Sequence, residues 1–410
     1  MYRFKNIKSR IFKYFSLGLL VTALAIAPSP FGRSHDFFTL ETSAQAQTPL
    51  PTENSQKSQF EIAQAPAAKE APAAAAEVKE ELIDFFKMGM GALAGLVLFI
   101  YGVTRLSEGL EDMGTERMRG FLSKCTTNRF AGVVTGAVAT TLLESSSVTI
   151  IMTIAMVSAG VLTFVQSLGV VLGANIGTAV GAQIISLEIE QYVPMLMFAG
   201  LLLLFLGKTK TWKNLGIVLL GFGLMFYGLE AIDEAMKPFR TYEPFIDLME
   251  TLGNNPILGA AVGALFTVII QSSSATVAIV ITLASSGLIS LPAGVAIMLG
   301  AEVGTCADTL IATIGRGRPA LRTGAFHFGF NLVSAILGII FAPLLVQLVL
   351  AFSSGAGVGR QVANAQILFN GIGVLVMVIF LPAIAGILQR LIPDSGDELK
   401  LQPEAVQAAR

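Results

Sequence analysis

Charged residues are unusually rare in this sequence. Only 13% of its 410 residues are Asp, Glu, Lys or Arg, against about 25% in soluble domains, which argues against a water-soluble fold of this size. The 27 basic and 28 acidic residues nearly cancel and form no basic block, which argues against a nucleic-acid partner. There are only two cysteines, Cys125 and Cys306, and they lie far apart, which excludes a disulfide framework and a zinc pattern.

The sequence is correspondingly rich in apolar residues and glycine. Residues of hydrophobic type make up 53% of the chain, and there are 41 glycines. Glycine is more frequent in membrane helices than in soluble ones, and long apolar stretches identify such helices. The composition therefore predicts an all-α polytopic membrane protein.

The first 46 residues have the pattern of a bacterial-type signal peptide. Five Lys and Arg residues precede an apolar run of 13 residues at 15–27, and Ala44-Gln45-Ala46 offers a cleavage site. The run is shorter than the ~20 residues that cross a bilayer. We predict a signal peptide at 1–46, with an uncleaved anchor as the alternative because the cleavage site lies far downstream. Residues 47–85, rich in Ala, Pro, Gln and Glu, predict a disordered extracytoplasmic tether.

The apolar part of the chain contains an internal repeat. A shift of 127 positions aligns 132–178 with 259–305 without a gap, and 16 of the 47 positions are identical. Tyr101-Gly102 and Tyr227-Gly228 match at a shift of 126. A duplication of this kind predicts two structural repeats. The predicted organisation is repeat 1 at 86–208, repeat 2 at 213–350, one final span at 365–389 and a cytoplasmic tail at 390–410.

Each repeat has one apolar segment that is too short to cross a membrane. Segments 130–143 and 257–270 contain 14 residues each, so a helix there reaches ~21 Å at 1.5 Å per residue. The hydrocarbon core is ~30 Å thick. We predict that each segment forms a re-entrant helical hairpin with the segment that follows it. Interrupted segments at matching places in two halves indicate a transporter binding site.

The basic residues predict how the repeats are oriented. If the N-terminus lies outside, the inner connections carry eleven Lys and Arg residues and the outer ones three, as the positive-inside rule requires. This arrangement puts the first hairpin at the inner face and the second at the outer face. The repeats are thus predicted to have inverted topology, in the bacterial inner membrane, with the C-terminus inside.

A run of hydroxyl side chains marks the turn of each predicted hairpin. The two runs are Glu144-Ser145-Ser146-Ser147-Val148-Thr149 and Gln271-Ser272-Ser273-Ser274-Ala275-Thr276. A broken helix offers free N–H groups and a positive dipole end to an anion, while hydroxyl and freed carbonyl oxygens suit alkali cations. We predict one site for an oxyanion and sodium built from both runs. Ordinary interhelical contacts by Ser and Thr are the alternative.

A second paired element follows each hairpin. It is Gly173-Ala174-Asn175-Ile176-Gly177-Thr178 in repeat 1 and Gly300-Ala301-Glu302-Val303-Gly304-Thr305 in repeat 2. Its two glycines permit local unwinding of a membrane helix, so that Asn175, Thr178 and Thr305 are candidates to add oxygens to a cation site. Packing of small residues between helices is the alternative.

Three carboxylates lie in apolar segments: Glu144, Glu302 and Asp308. Ionisable groups at this depth are costly and are functional candidates. The same segments contain no Lys or Arg, which favours a bound cation or a proton. His327 is predicted to be an ordinary core histidine, and Asn331 and Asn370 are predicted to cap helices.

The duplicated serine triplets, each followed by the Gly-x-Asn-Ile-Gly-Thr type of element, resemble the type II sodium/phosphate cotransporter family over about 86–389. The resemblance implies an inverted-repeat transporter that carries inorganic phosphate with sodium by alternating access, without covalent catalysis and without a cofactor beyond sodium as the coupling ion. The predicted phosphate-binding residues are Ser145, Ser146, Ser147, Gln271, Ser272, Ser273 and Ser274. The predicted sodium-binding residues, which include the carboxylates and Thr305 argued above, are Glu144, Thr149, Asn175, Thr178, Thr276, Glu302 and Thr305.

Two departures from the family pattern leave an alternative open. Glu144 stands where the family has Gln, and Glu302 stands where the pattern has Asn. A carboxylate repels a bound phosphate unless it is protonated or paired with a cation. The alternative is a carrier of another small anion, or a proton-coupled phosphate carrier in which Glu144 titrates.

Other classes of protein fit the sequence less well. An enzyme with a serine nucleophile needs a nearby base, and neither predicted hairpin contains His or Lys. A pore needs a charged ring or a carbonyl filter motif, and the sequence shows neither. The expected partners are inorganic phosphate, sodium ions and the lipid bilayer, and no nucleic acid.

Overall fold

The protein is described by a computed structural model over residues 84–187 and 189–394, and every regular element in these residues is helical. The predicted signal peptide at 1–46, the tether to residue 83 and the tail from 395 to 410 lie outside them. The α-helices of the described residues are α1 (Phe85–Cys125), α2 (Arg129–Leu143), α3 (Ser146–Ser158), α4 (Phe164–Ile185), α5 (Val193–Leu206), α6 (Lys210–Met236), α7 (Glu243–Asn254), α8 (Pro256–Ile270), α9 (Ser273–Ser285), α10 (Leu291–Gly304), α11 (Cys306–Ala312), α12 (Arg318–Ile340), α13 (Ala342–Phe352) and α14 (Val358–Leu391).

The two repeats pack their equivalent helices in the same way. In repeat 1, α2 packs on α4, and in repeat 2, α8 packs on α10. Gly136 lies directly on the Val170 backbone, and Gly263 lies directly on the Ile297 backbone. Both pairs are related by the shift of 127 found in the sequence, so the alignment of the repeats holds in three dimensions. A methyl group at either glycine would overlap the facing carbonyl oxygen, which is why these helices need glycine there.

The contact between the repeats shows that they are inverted. Helices α1 and α6 begin the two repeats, and they touch where Gly95 meets Gly228 and where Gly102 meets Gly221. The contacts advance along α1 while they go back along α6, so these equivalent helices are antiparallel. At a shift of 126, Gly95 is equivalent to Gly221 and Gly102 is equivalent to Gly228. Exchanging the two repeats therefore turns the contact of Gly95 with Gly228 into the contact of Gly221 with Gly102. Such reciprocity is the signature of a two-fold relation.

Six helical segments of the described chain are long and apolar enough to span a membrane: α1, α4, α6, α10 with α11, α12 and α14. Helices α7 and α8, bent by 106° against each other, make a seventh if they count as one span. The helices before the serine triplets contain 15 residues each, close to the 14 that the sequence predicts, and the helices after the triplets contain 13 each. Their re-entrant path into the membrane stays a prediction.

Helices α4 and α10 form the centre of the molecule. In the most apolar 18-residue stretch of each span, 72% is buried in α4 and 67% in the α10–α11 segment. The corresponding share is 22% in α1 and in α14. Helix α14, predicted at 365–389, packs against α4, α9 and α10 and so touches both repeats. The glycine-rich elements of the sequence therefore lie in the most protected helices.

Candidate substrate cavity

Both hydroxyl runs begin at a helix break with the same backbone. Within the described residues, Glu144 and Gln271 are the only residues other than glycine with positive φ, at 50° and 62°. The left-handed conformation costs a residue with a side chain roughly 1–2 kcal/mol. Glu144 ends α2 and Gln271 ends α8, at positions related by the shift of 127. The duplicated sequence thus forms a duplicated, strained break.

The first serine of each triplet starts the next helix. Ser145 and Ser272 are extended N-caps whose hydroxyl oxygens accept hydrogen bonds from the backbone N–H groups three residues later, at 3.2 and 3.1 Å. Such caps stabilise a helix by typically ~1 kcal/mol. These caps fix the N-termini of α3 and α9 at the two breaks.

The two breaks share one cavity. Its volume is about 270 Å³, below the ~300–1,000 Å³ of pockets for drug-sized ligands, so it suits a small ion. Repeat 1 contributes Glu144, Ser145, Ser146 and Ser147, and repeat 2 contributes Ile270, Gln271, Ser272, Ser273, Ser274, Ala275 and Thr305. Helix α1 supplies the rest of the lining, namely Ile100, Val103, Thr104, Ser107, Glu108 and Glu111.

The cavity lining has an excess of negative charge. Glu108, Glu111 and Glu144 line it, and among the described residues no Lys, Arg or His does. Arg105 pairs with Glu108 at 2.9 Å on the exposed side of α1. Glu108 and Glu111 were missed at the sequence level because the apolar segment ends near residue 106, whereas α1 continues as a helix to Cys125.

The first break carries a carboxylate of its own, which the second lacks. Glu144 brings its own carboxylate, and the missing side chain of Gly181 leaves room for it, since a Cβ there would lie 2.9 Å from Glu144 Oε2. Asp308, the repeat-2 equivalent of Gly181, lies on α11, which packs against α3 of the first break. Its Oδ1 atom is buried and has no partner in the described residues. The second break carries the neutral Gln271 instead.

Nine of the predicted site residues meet at the cavity: the four from repeat 1, the four from Gln271 to Ser274, and Thr305. Four of the other five serve the backbone of their own segments. Thr149 and Thr276 donate to the carbonyls of Ser145 and Ser272, at 3.1 Å each. The predicted sodium ligands Asn175 and Thr178 likewise donate to carbonyls within α4, at 3.0 and 3.1 Å, and neither lines the cavity.

Glu302, the remaining predicted ligand, lies in a separate buried cluster. Its Oε1 atom accepts hydrogen bonds from Gln366 Nε2 at 2.9 Å and Asn370 Nδ2 at 3.1 Å. The prediction that Asn331 and Asn370 cap helices is wrong, because both lie in helix interiors, of α12 and α14. His327 is a buried core residue with a 2.8 Å contact to Thr309, as the sequence predicts.

Known proteins similar to this chain include members of a phosphate transporter family. The family model described as Na+/Pi-cotransporter matches the chain twice, at 98–234 and 240–377. "Uncharacterized protein YqeW" of Bacillus subtilis is 27% identical over 70% of this chain and 92% of its own length. YjbB of Escherichia coli K12, whose name assigns it provisionally to inorganic phosphate export, is 26% identical over 76% of this chain and 57% of its own length.

A shorter match reaches a human protein. Sodium-dependent phosphate transport protein 2B of Homo sapiens is 36% identical over 90 residues, which are 20% of this chain and 13% of that protein. The chain thus spans little more than half of YjbB and a small part of the human protein. No solved structure matches the chain.

Proposed function

Because the chain belongs to the Na+/Pi-cotransporter family, we propose that it is a multi-pass membrane transporter that carries inorganic phosphate together with sodium. The observation that carries the proposal is the cavity shared by the two helix breaks. Ions are bound there between the repeats, and alternating access follows from movement of the inverted repeats around that fixed site.

Phosphate binds at the second break in this proposal. Ser272, Ser273 and Ser274 offer hydroxyl donors, and the N-terminus of α9 adds backbone N–H groups and the positive end of the helix dipole. Gln271 has an amide that donates and carries no charge to repel the anion. The triplet of the first break faces the same cavity and completes the hydrogen bonding of the phosphate oxygens.

Sodium binds at the first break in this proposal. Three carboxylates line the cavity, and among the described residues only Glu108 is paired with a basic side chain. An anion that enters therefore meets repulsion, which a cation must offset. Glu144 and Ser147 line the cavity, and Asp308 lies on α11, which packs against α3. Their oxygens are the hard ligands that sodium prefers. The anion therefore enters with its cation, and this dependence is the physical basis of coupling.

A proton-coupled carrier is the second candidate, and Glu144 is the observation that favours it. A carboxyl at the break becomes neutral by taking up a proton as well as by pairing with sodium. For either ion, the distribution of basic residues supports insertion in a bacterial inner membrane with the N-terminus outside and the C-terminus inside.

Transport by the purified chain in proteoliposomes tests the proposal. We expect uptake of radiolabelled phosphate under an inward sodium gradient and little uptake when potassium replaces sodium at the same pH. Uptake that follows a proton gradient and ignores sodium would replace sodium coupling by proton coupling. Uptake of neither kind would contradict the proposal of phosphate transport. Either direction of net flux is measurable, since the vesicles can be loaded with phosphate instead.

A further inference from the structure

Glu302 is a buried carboxylate outside the cavity, and it has no positive partner among the described residues. Glu302 is 1% exposed, and no ion pair found in residues 84–187 and 189–394 involves it. A charged group inside a membrane protein is costly unless its charge is balanced, and it marks a functional site by default. The two amide N–H donors from Gln366 and Asn370 supply hydrogen bonds and no charge.

The same cluster has more acceptor oxygens than donors to satisfy them. Gln366 Oε1, Asn370 Oδ1 and Asn331 Oδ1 are all buried without a hydrogen-bond partner in the described residues. The Gln366 and Asn370 oxygens belong to the two amides that hold Glu302, so they lie beside its carboxylate. Leaving a buried acceptor unsatisfied costs ~1–3 kcal/mol, and two such oxygens, those of Gln366 and Asn370, lie beside this one carboxylate.

Asn331 joins the cluster through Cys306. Its Nδ2 atom lies 3.5 Å from Cys306 Sγ, and that sulfur lies 3.5 Å from the Glu302 carbonyl oxygen. All four polar side chains of the cluster, Glu302, Asn331, Gln366 and Asn370, are at most 1% exposed. The carboxylate and the three amide oxygens therefore come from three helices, α10, α12 and α14.

We propose that this cluster is a sodium site separate from the cavity. The carboxylate supplies the negative charge, and the amide oxygens supply neutral hard ligands of the kind that suit such cations. A proton on Glu302 would satisfy one acceptor oxygen, whereas a cation satisfies several at once. The identity of the ion rests on the proposed function, while the existence of the site rests on the cluster alone.

The position of the site explains how its ion acts on the cavity. Glu302 lies one turn before Thr305, which lines the cavity at the end of α10. Gln366 and Asn370 belong to α14, which lies outside the two repeats. An ion held between them ties α10 of repeat 2 to this extra span. The repeat-1 equivalent is the neutral Asn175, so that position supplies no carboxylate to a matching site in repeat 1.

Sodium binding without phosphate tests the site. Purified full-length protein in detergent is titrated with ²²Na⁺ at constant ionic strength, balanced with choline, and thermal unfolding is followed in the same buffers. We expect the wild-type chain to bind sodium and to gain thermal stability from it. In Glu302→Gln, we expect one fewer sodium ion bound per chain and a smaller sodium-dependent rise in Tm. Glu116→Gln, at an exposed glutamate of α1, is the matched control and keeps both.

A second variant covers a failure of Glu302→Gln to fold. Asn370→Ala keeps the charge and removes one ligand, so we expect sodium affinity at this site to fall at least tenfold. Unchanged ²²Na⁺ binding in these variants would overturn the proposal, as would stability that responds to pH and not to sodium. Failure of sodium-driven phosphate uptake, with binding that still depends on Glu302, would overturn the proposed function and leave this site standing.

Discussion

The two helix breaks have nearly the same backbone and opposite electrostatic character. Glu144 and Gln271 have φ angles within about 12° of each other, and Ser145 and Ser272 cap the following helices in the same way. Glu144 brings a carboxylate to the first break, and Asp308 lies on α11, which packs against α3 after that break. Gln271 leaves the second break with a neutral side chain. Duplication thus supplied two breaks with the same backbone, and in the proposed function the divergence of their side chains assigns a cation to one and the anion to the other.

The largest effect is expected from filling the close helix contacts that hold the breaks in place. A methyl group at Gly173 or Gly300 would overlap the carbonyl oxygen of Val133 or Ala260. We expect Gly173→Ala and Gly300→Ala to lose ~1–3 kcal/mol or more of stability, with similar losses in the two repeats. Thermal unfolding in detergent measures this. Gly371→Ala, where a Cβ meets open space inside α14, is the control and should stabilise slightly.

The stability losses of Gly173→Ala and Gly300→Ala should be similar if the two repeats depend equally on this packing. A large loss at Gly300 with none at Gly173 would mean that only repeat 2 depends on the close packing. The shared fold of the repeats would then not extend to their energetics.

The next effect distinguishes the serine triplets. Ser273 is 3% exposed and Ser146 is 9% exposed, and both line the cavity. Hydrogen bonds to charged groups contribute ~1.5–3 kcal/mol, so Ser273→Ala should raise the phosphate concentration for half-maximal uptake roughly 10- to 100-fold. Ser146→Ala should have a smaller effect, since phosphate lies closer to the second break in our account. Full uptake by Ser273→Ala would remove this triplet from the phosphate site.

Exposed Ser354 provides the control for the serine variants. It follows α13 in a turn far along the chain from both triplets. Ser354→Ala should leave phosphate uptake and its sodium dependence unchanged. A loss in this variant as large as in Ser273→Ala would show that the assay reports general damage.

Exchanging the polar groups of the breaks tests their different charges. Glu144→Gln makes the first break resemble the second, and we expect a several-fold higher sodium concentration for half-maximal uptake with a small change in the phosphate value. Gln271→Glu adds a carboxylate beside the proposed phosphate and should weaken phosphate binding more than sodium binding. Uptake kinetics at varied sodium and varied phosphate separate the two. If Glu144→Gln leaves the sodium dependence and the pH profile as they were, the carboxylate has no coupling role.

The smallest effect concerns the strain at the breaks. Gln271→Gly removes a left-handed penalty of ~1–2 kcal/mol, partly offset by the greater entropy of glycine in the unfolded chain. We expect Tm without ligands to rise by a few degrees at most. Gln361→Gly, inside α14, should instead lower Tm because glycine costs ~1 kcal/mol in a helix interior. A fall in both variants would mean that the Gln271 side chain stabilises the break by more than its strain.

The sequence predicted the parts that depend on local pattern. The repeat, the short helices and the serine triplets all follow from spacing and residue type, and the structure places them at matching breaks. Thr149 and Thr276 are predicted ligands, and their hydroxyls donate to the carbonyls four residues earlier. Spacing alone does not give this side-chain direction, and because each hydroxyl oxygen keeps its lone pairs, their role as ligands stays a prediction.

The parts that depend on distant contacts were not predictable. Glu302 meets Gln366 and Asn370 across 64 and 68 residues, and nothing in the segment around Glu302 indicates those partners. Glu108 and Glu111 lie where the apolar pattern of α1 has ended, so only the continued helix shows that they line the cavity. A single sequence indicates which groups are costly in a membrane, and the fold decides which of them meet.

Equilibrium binding by Glu144→Gln and Ser273→Ala tests the central claim, which is that one cavity holds a cation at the first break and phosphate at the second. Radiolabelled phosphate and ²²Na⁺ are titrated separately against the purified wild-type chain and each variant. Our account predicts one phosphate per wild-type chain, weakened at least tenfold by Ser273→Ala in saturating sodium, and sodium affinity lowered chiefly by Glu144→Gln. Equal losses of both ions in both variants, or phosphate binding that neither variant changes, would contradict it.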